Sequence, residues 1–500
     1  MDPGQLRARR TLKRMGQGMV GIALLLLLAV LVNTLRKGSR QLDVKPAPKA
    51  AVDARAAATR LAAAIRARTI ASPSDPRANA DQFRALHEHL QRAYPKVHAT
   101  LSREVIGGTS LLYTWRGSAA KGGAKPIALM AHQDVVPVAA GTRARWSAPP
   151  FGGVIKDGFV WGRGAWDNKC NLIAQLEAVE ALLAKGFTPR RTIYFVFGAD
   201  EEIGGLRGAA AIGKLLASRG VRLAWVLDEG LLITSGVLAG LDKPAALIGI
   251  AEKGYLSLVL RVEGKPGHSS MPPVEGSAIA RLTAALARLA RHPMPAKLGG
   301  VMKLTLETVA PEMAFGNRLV LSNLWMFSPL VRSMMTAKSS TNAALRTTTA
   351  MTVLRAGNKD NVVPGVAEAT VNFRLLPGDT KDAVVAHVRR VVADASVKIR
   401  ALPFASEPSK VSSPTSAPYK LVERTVRELF ADVIVAPGLT VGATDSRHLS
   451  AIAESVLRFS PVRAKREDLP RFHGTDERIS VQNLGELIQF YRRLIEQGAK

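Results

Sequence analysis

The chain has 500 residues, too many for one core of ordinary size, so we expect two or three compact units, and its single cysteine excludes an internal disulfide. The formal charge of +29 favours an anionic partner such as a membrane surface or an acidic substrate, or else reflects a generally arginine-rich surface. Aromatic residues make up only 5% and do not interleave with basic ones in any motif, so nucleic acid is not expected as a partner.

The first predicted element is an apolar helix near the N-terminus. Residues 15–35 carry no charge, and at ~1.5 Å per residue such a run spans the ~30 Å hydrocarbon core of a bilayer. No small-x-small cleavage site follows closely, so residues 1–37 are predicted to be a retained signal anchor rather than a removed signal peptide or a buried core helix. The modest excess of basic residues before the run favours an N-terminus inside, with the bulk of the protein on the extracytoplasmic side. These flanking residues are Arg7, Arg9, Arg10, Lys13 and Arg14 before the run, and Arg36, Lys37 and Arg40 after it.

A linker and an alternation of helices and strands follow. Residues 38–55 contain Pro46 and Pro48 and are predicted to be a linker that leaves the membrane. The spacing of apolar residues beyond it then alternates between helical and strand periods, which predicts an open, mainly parallel α/β sheet. The predicted helices are residues 51–68, 81–94, 171–185 and 206–219, and the predicted strands are residues 126–131, 192–197 and 223–227.

The pattern changes after residue 251. Two segments alternate between apolar and polar residues as half-buried strands do, and each is followed by a helical pattern, which suggests a separate α+β domain. The α/β pattern then resumes near the C-terminus, so this domain is predicted to be inserted into the first. The strands are residues 255–262 and 367–373, and the helices are residues 277–291 and 380–393. The predicted α/β domain thus consists of two segments, residues 56–251 and 401–500, and the insert is residues 252–400.

Three of the apolar runs end in imidazole or acidic side chains: His132 with Asp134, Glu201 with Glu202, and Asp228. In open α/β sheets, sites form outside the carboxyl ends of the strands. Each carboxylate alone is better explained as an ordinary loop residue, but their convergence with a histidine predicts a metal site. Adjacent carboxylates diverge in direction, so one of Glu201 and Glu202 can bind metal while the other faces the attacking water.

Two further segments add ligands. Asp167 lies in a glycine-flanked loop, and His473 follows far downstream. Together the stretches supply enough ligands for two metal ions that share one carboxylate, which favours a metal-dependent hydrolase. Asp134 either hydrogen-bonds to the ring of His132 or positions it only through the backbone. The glycines at positions 162 and 164 do not form a dinucleotide-binding fingerprint, because a third glycine and a preceding strand are missing.

These motifs resemble the dinuclear-zinc exopeptidase family that includes aminoacylase-1, glutamate carboxypeptidase and the Gly-Xaa carboxypeptidases. Within it the chain is most similar to the Gly-Xaa carboxypeptidase and N-fatty-acyl-amino-acid hydrolase branch, over about residues 55–495. The matching stretches are LLYTW (111–115), AHQDVVP (131–137), PPF (149–151), WGRG (161–164), DEE (200–202), PGHSS (266–270), DNVVP (360–364) and NFR (372–374).

The resemblance implies a catalytic α/β domain with a mixed, mainly parallel sheet and two divalent metal ions, zinc in the first place, with cobalt or manganese as alternatives. Glu201 is implied as the general base, and Asp134 as the partner that orients His132. The implied ligands are His132, Asp167 and Asp228 for one metal and Asp167, Glu202 and His473 for the other.

The resemblance also implies roles for the inserted domain. It is expected to be a lid or dimerisation domain, so a homodimer is a candidate assembly. His268 resembles a histidine that helps to hold the oxyanion, often from the partner subunit, whereas a loop histidine is the alternative. Asn361 and Arg374 resemble polar residues that bind substrate; an arginine suits a free carboxylate, and a surface salt bridge is the alternative for it.

The expected reaction is hydrolysis of an amide bond next to a free carboxylate, in a small peptide or an N-acyl amino acid. A non-catalytic binding protein with the inherited fold, or a related aminopeptidase or deacetylase, is the alternative. Around the bridging aspartate the sequence departs from the family, because Trp166 stands where a small aliphatic residue is more usual. Cys170 beside it is expected to be a packed helix residue.

Overall fold

The computed structural model describes residues 3–119 and 124–500, with side chains from residue 11 onward. Its first helix is α1 (Pro3–Arg36). The side chains of Arg7, Arg9 and Arg10, which were expected to flank the apolar run, lie outside the described part of the chain. Among the described residues, one segment, Thr11–Arg36, is long and apolar enough to cross a membrane by length and composition, and most of its side chains are exposed.

The remaining elements fall into three stretches. The first contains α2 (Ala54–Arg66), α3 (Ala80–Ala93), α4 (Pro95–Thr100), β1 (Ser102–Ile106), β2 (Ser110–Trp115), β3 (Ile127–His132), β4 (Val154–Lys156), β5 (Phe159–Trp161), α5 (Lys169–Ala184), β6 (Ile193–Gly198), α6 (Ala209–Ser218), β7 (Trp225–Ser235) and β8 (Ala245–Glu252). The second contains β9 (Gly254–Glu263), β10 (Gly267–His268), α7 (Ala278–Arg291), α8 (Gly300–Val309), α9 (Phe315–Ser322), α10 (Leu324–Thr336), α11 (Ser339–Leu345), β11 (Thr348–Ala356), β12 (Val362–Val363), β13 (Val366–Leu375), α12 (Lys381–Val392) and β14 (Val397–Ala401). The third contains α13 (Ala417–Leu429), β15 (Ile434–Thr440), β16 (Val456–Lys465), β17 (Arg478–Ser480) and α14 (Val481–Gly498).

The large sheet is mixed, in the order β1-β2-β6-β3-β7-β16-β8-β15. Its centre, β6-β3-β7-β16, is parallel, whereas β1 and β2 form an antiparallel edge. Residues of β3 alternate between the two faces: Leu129 packs in one core and Met130 in the other. Both faces of the sheet are therefore buried, which explains the continuous apolar runs in the sequence.

Helices cover both faces of this sheet. On one face α2, α5 and α14 pack together through Leu61, Leu176 and Leu487. On the other face α6 contributes Ile212 and Leu216. Hydroxyl and carboxylate caps begin several of these helices, since Asp53 accepts from the Ala56 amide and Ser480 from the Asn483 amide.

A second sheet, in the order β11-β13-β9-β14, is antiparallel throughout. Two helices, α7 and α12, lie on it, and the core between them is separate from that of the large sheet. In the same stretch β10 and β12 pair as a separate two-stranded antiparallel sheet, although α7–α11 and β11 lie between them in the chain. This core contains Leu258, Leu282, Val371 and Val388.

The predicted insert of residues 252–400 is not uniform. Between α7 and β11, the helix α8 packs on β15 of the large sheet rather than on the second sheet. Val301 belongs to the core of the large sheet, and Thr305 donates its hydroxyl to the Pro437 carbonyl at 2.7 Å. The helices α8–α11 had no counterpart in the sequence prediction.

Candidate active site

The acidic cluster lies at the carboxyl ends of neighbouring parallel strands. His132 ends β3, Glu201 and Glu202 follow β6, and Glu229 lies within β7 just before the strand bends at Gly230. Since β6, β3 and β7 are adjacent in the sheet, residues far apart in sequence meet at one edge. The predicted position of the site at this edge agrees with the structure.

Asp167 stands between two histidines. Its Oδ1 lies 2.9 Å from His132 Nε2, and its Oδ2 lies 2.7 Å from His473 Nε2. Each histidine also faces a glutamate: Glu229 Oε1 is 3.3 Å from His132 Nε2, and Glu202 Oε2 is 3.3 Å from His473 Nε2. The cluster therefore has two similar halves, each with an imidazole and a glutamate, that share one aspartate.

Asp134 ties the first half together. The Nδ1 atom of His132 lies 2.9 Å from the Asp134 carbonyl oxygen and 3.4 Å from its carboxylate. The same carboxylate accepts hydrogen bonds from the backbone amides of Glu201 (3.1 Å) and Glu202 (3.0 Å). Asp134 thus fixes the ring of His132, leaving Nε2 to face the cluster, and holds the two glutamates at its edge.

Glu229 occupies the place that the sequence analysis gave to Asp228. Both carboxylate oxygens of Asp228 accept backbone hydrogen bonds, from Glu229 at 2.9 Å and from Ser446 at 2.7 Å. Adjacent strand residues point to opposite sides, so only one of the two can face His132. In the structure the Asp228 carboxylate therefore faces these backbone amides, whereas one carboxylate oxygen of Glu229 lies within 4.8 Å of His132 and Glu201 in a group that could hold a metal ion.

Charge and burial shift the acid–base properties of the cluster. Burial raises the pKa of Glu201 well above its ordinary value; the charge of His132 opposes this shift, and the charges of neighbouring carboxylates add to it. Burial, with the charge of Asp167, likewise raises the pKa of Glu229 to about 7. Burial opposes ionisation of Asp167 too, but hydrogen bonds from His132 and His473 lower its pKa below the ordinary value.

The loop that carries Asp167 is anchored by Glu477, which the sequence analysis missed. Glu477 is fully buried, and its Oε1 accepts the backbone amides of Gly164 (2.9 Å), Trp166 (2.9 Å) and Asp167 (3.0 Å). Its Oε2 pairs with Arg163 Nη1 at 2.5 Å. The sequence offered one indication of its role, namely that Glu477 follows the predicted ligand His473 by four residues. Cys170, at the start of α5, is fully buried as expected.

A cleft of about 600 Å³ opens from the cluster. Arg374 lies in it, with its guanidinium 4.7 Å from the ring centre of Tyr255, and Tyr255 in turn contacts Phe404 edge-on at 5.2 Å. Burial lowers the pKa of Arg374 from its ordinary value. The segment at residues 442–447 also lines the cleft, through Gly442 and Arg447 among others. An apolar wall is formed by Ile203, Leu231, Leu232, Val441 and Phe472.

His268 and Asn361 lie away from this cleft. His268 is exposed in β10 and its Nδ1 is 2.8 Å from Ser270 Oγ. The Asn361 carbonyl oxygen accepts the Ser269 amide at 3.0 Å, so both predicted residues lie at the two-stranded β10–β12 sheet, with Asn361 just before β12. Among the residues that the structure describes, these two are brought together with each other, but not with the acidic cluster.

The model of peptidase family M20/M25/M40 matches residues 128–497. The chain belongs to this family. Membership makes the chain a hydrolase of a metal-dependent peptidase family and confirms the resemblance drawn from the motifs.

Relatives and solved structures agree with this assignment. The chain is 40% identical to probable carboxypeptidase S-like 2 of Dictyostelium discoideum, over 96% of this chain and 93% of that protein. It is 44% identical to N-fatty-acyl-amino acid synthase/hydrolase PM20D1.1 of Danio rerio, over 82% of this chain and 79% of that protein. The structure of an M20 family metallo-carboxypeptidase from Sulfolobus solfataricus has the same fold, with a TM-score of 0.65 and 17% identity, over 89% of this chain and 99% of that one.

Proposed function

We propose that the chain hydrolyses an amide bond next to a free carboxylate, in N-acyl amino acids or small peptides. The observation that carries this proposal is the shared Asp167, with a histidine and a glutamate on each side of it. Family membership adds the hydrolase class, and Arg374 in the cleft adds a group suited to a substrate carboxylate.

The donor set fits two divalent cations. Imidazole nitrogens and carboxylate oxygens are the ligands that zinc prefers when cysteine is absent, with cobalt or manganese as alternatives. The Oε1 atom of Glu202 is buried and has no hydrogen-bond partner within the described residues, so it is free to bind an ion. One cation would be held by His132, Asp167 and Glu229, and the other by Asp167, Glu202 and His473.

Bound cations supply two effects: they lower the pKa of a water molecule at the site and stabilise negative charge on the amide oxygen. The protein's own part falls to Glu201, which accepts the proton of the attacking water and returns it to the leaving nitrogen. Its buried position and raised pKa suit both steps, since the carboxylate must hold the proton between them. Asp134 contributes indirectly, because it positions the ring of His132 and the backbone of Glu201.

The cleft supports a substrate with a carboxylate at one end and an apolar group at the other. Arg374, held against the ring of Tyr255, would receive the carboxylate through its planar fork. The wall formed by Leu231, Leu232 and Phe472 would receive an acyl chain or an apolar side chain. The names of the relatives include both a carboxypeptidase and an N-fatty-acyl-amino acid synthase/hydrolase, so condensation in the reverse direction belongs to the same proposal.

The second sheet and the β10–β12 sheet are proposed to act as a lid or dimerisation domain. His268 and Asn361 are exposed at the β10–β12 sheet, and neither is among the residues that line the cleft of their own chain. Delivery of His268 to the site of a partner subunit, or closure of the second sheet over its own cleft, would allow both residues to contact substrate. The N-terminal helix α1 is proposed to anchor the protein, with the catalytic domain on the extracytoplasmic side.

A substrate panel tests this function. The purified full-length chain is incubated with N-acyl amino acids and dipeptides in the presence of zinc, cobalt or manganese, each substrate as the free acid and as the matched carboxamide. Hydrolysis of the free acids and little of the amides is expected, and Arg374→Ala should reduce this preference. Equal cleavage of both forms would favour an aminopeptidase or deacetylase, and bound metal without any cleavage would favour a binding protein.

A further inference from the structure

The C-terminal end of α1 is built into the folded protein. Asn323, between α9 and α10, is fully buried, and its Nδ2 donates to Thr34 Oγ1 at 2.9 Å and to the Val30 carbonyl at 3.2 Å. In return, Asn33 Nδ2 donates to the Ser322 carbonyl at 2.8 Å. Thr34 is itself fully buried. Buried polar groups that satisfy one another in this way fix the position of the helix end relative to α9 and α10.

Basic side chains complete the same junction. Arg318 Nη2 donates to the carbonyl oxygens of Thr34 (3.3 Å) and Lys37 (2.9 Å), and Lys37 Nζ donates to the Ser322 carbonyl at 2.6 Å. The last carbonyls of a helix have no partner within the helix, so these bonds satisfy them. Removal of α1 would take from the buried Asn323 its bonds to Val30, Asn33 and Thr34 and leave only those to Leu319 and Trp325. This supports a retained helix rather than a cleaved leader.

The chain that follows α1 does not behave as the free linker expected from the sequence. Gln41 exchanges hydrogen bonds with the backbone of Val435, at 2.9 and 2.7 Å, and Arg427 Nε donates to the Leu42 carbonyl at 3.3 Å. The Ala47 amide donates to the Glu428 carbonyl at 2.9 Å. This segment therefore runs along the large sheet and α13, and it holds the catalytic domain close to the end of α1.

One face of α10 is exposed although it is apolar. Met326, Leu330 and Met334 are 42%, 51% and 64% exposed, and their spacing of four residues puts them along one stripe of the helix. Trp325 in the first turn is also 59% exposed, whereas Val331, which follows Leu330, is buried. The outward face of a helix on a water-soluble protein is normally polar, so this surface, the α10 apolar face, calls for a partner.

We propose that the α10 apolar face lies in the interfacial region of the lipid bilayer that α1 crosses, so that the catalytic domain is held to the membrane at two points. The face begins at Met326, three residues after Asn323, and Asn323 bonds to Val30 and Thr34 near the C-terminal end of α1, where Leu35 is also exposed. A helix of 13 residues is too short to span a bilayer but suits its interface. This inference goes beyond the reaction and depends only on α1 as the anchor.

The chemistry of the face agrees with lipid rather than a second protein surface. Trp325 directs its Nε1 to Asn323 Oδ1 at 3.2 Å and exposes the rest of its ring, as tryptophans at a membrane interface do. The exposed Arg332 and Lys338 lie along the same helix or just beyond it, where they can meet lipid phosphates.

Site-specific fluorescence in nanodiscs tests the proposal. The full-length chain is placed at one copy per disc, and an environment-sensitive probe is attached to Leu330→Cys or Met334→Cys. Leu27→Cys reports on α1, and Val105→Cys, exposed on β1, is the matched control. The unsubstituted chain is the labelling blank, because its only cysteine, Cys170, is fully buried. Emission at 330 and 334 should shift to the blue and be quenched by lipids that carry a nitroxide near the headgroup, while that at 105 stays unchanged.

The other outcomes overturn the proposal in distinguishable ways. Quenching at Leu27 but not at 330 and 334 would mean that α1 is inserted while the α10 apolar face meets water. A blue shift without lipid quenching, dependent on protein concentration in detergent, would assign the face to a second copy of the chain. No quenching at any position would remove the anchor and the proposal together. Each labelled chain must melt at the temperature of the unsubstituted chain, and Met326→Cys replaces any that does not.

Discussion

The two halves of the acidic cluster are held in different ways. The side chain of His132 is 2% exposed, ends a central strand and is fixed from behind by Asp134. The side chain of His473 is 44% exposed, has a backbone φ of 56°, and stacks on Phe472 with ring centres 4.6 Å apart. The deep half is thus built by neighbouring strands, whereas the shallow half depends on a loop near the C-terminus.

The electrostatics of the halves differ in the same sense. Burial disfavours the charged form of His132, but Glu229 and hydrogen bonds to Asp134 and Asp167 outweigh it and raise its pKa well above the ordinary value. The pKa of His473 is raised to about 10, mainly because it donates to Asp167 and Glu202. We expect the deep half to hold its cation more tightly, because charges attract more strongly away from water. The following experiments test that contrast.

The largest effect is expected from Glu201→Gln, since it removes the proton acceptor and leaves both proposed ligand sets intact. The turnover number should fall by about 10²–10⁴-fold, the range for a lost general acid or base. Steady-state kinetics measure the fall, and elemental analysis should still find two metal equivalents per chain. If metal were lost together with turnover, Glu201 would be a metal ligand rather than the proton acceptor. One half of the cluster would then have one more ligand than the other.

Glu477→Ala should next separate the shallow half from the deep one. It leaves the buried Arg163 unpaired, and such losses cost about 3–5 kcal/mol. Because Arg163 Nη2 also donates to the carbonyls of His473 (3.1 Å) and Gly474 (3.0 Å), the loop of the shallow half should loosen.

Urea unfolding measures the loss in free energy of unfolding. The metal content of the variant should fall by one equivalent per chain before the second equivalent is lost. The matched control is Glu454→Ala, an exposed glutamate paired with Lys125, which should change the free energy of unfolding by less than about 1 kcal/mol. Equal destabilisation by both changes would contradict the anchoring role of Glu477.

Glu229→Ala compared with Asp228→Asn tests the proposed ligand of the deep half. Removal of Glu229 should weaken the tighter cation by more than about 10²-fold, since even outer partners of metal ligands cost 10–100-fold. Asp228→Asn keeps an acceptor for only one of the Glu229 and Ser446 amides, but it leaves the proposed donors of the deep half in place and should weaken the cation less. Chelator competition gives both affinities. The reverse order of effects would restore Asp228 as the ligand.

The sequence allowed most of the catalytic fold to be predicted because its periodicities are regular. The helix predicted at residues 171–185 is observed as α5, and the strand at residues 192–197 as β6. The helices α8–α11 escaped prediction, because their apolar residues do not form one inward stripe: several of those on α10 are exposed. Periodicity identifies a helix only where one face is buried in protein.

The site shows a similar division. His132, Asp167, Glu202 and His473 lie together as predicted from the motifs, but Glu229 and Glu477 were missed. Choosing between Asp228 and Glu229 needs the direction of each side chain, and the bend at Gly230 is not visible in the sequence. Glu477 acts through backbone amides of a loop more than 300 residues earlier, and backbone partners leave no trace in residue types.

The most direct comparison of the halves is the pH dependence of metal affinity. A metal ligand must be deprotonated, so a group that holds a proton in the metal-free protein has to release it when the ion binds. The pKa of His473 is about 10, above the ordinary value of 6.5, so below pH 10 the shallow half must release this proton and its affinity should rise with pH by about tenfold per unit.

The deep half should respond more steeply in acid. His132 also releases a proton, and below pH 7 a second comes from Glu229, whose pKa is about 7. Its affinity should therefore rise by about tenfold per unit above pH 7 and by up to about a hundredfold per unit below it. Chelator competition between pH 6 and pH 9 measures both slopes, with Glu229→Gln as the matched control. That variant should bind more weakly at every pH, but its slope below pH 7 should return to about tenfold per unit, because the amide has no proton to release. An unchanged break near pH 7 in Glu229→Gln would assign the second proton to another carboxylate of the cluster.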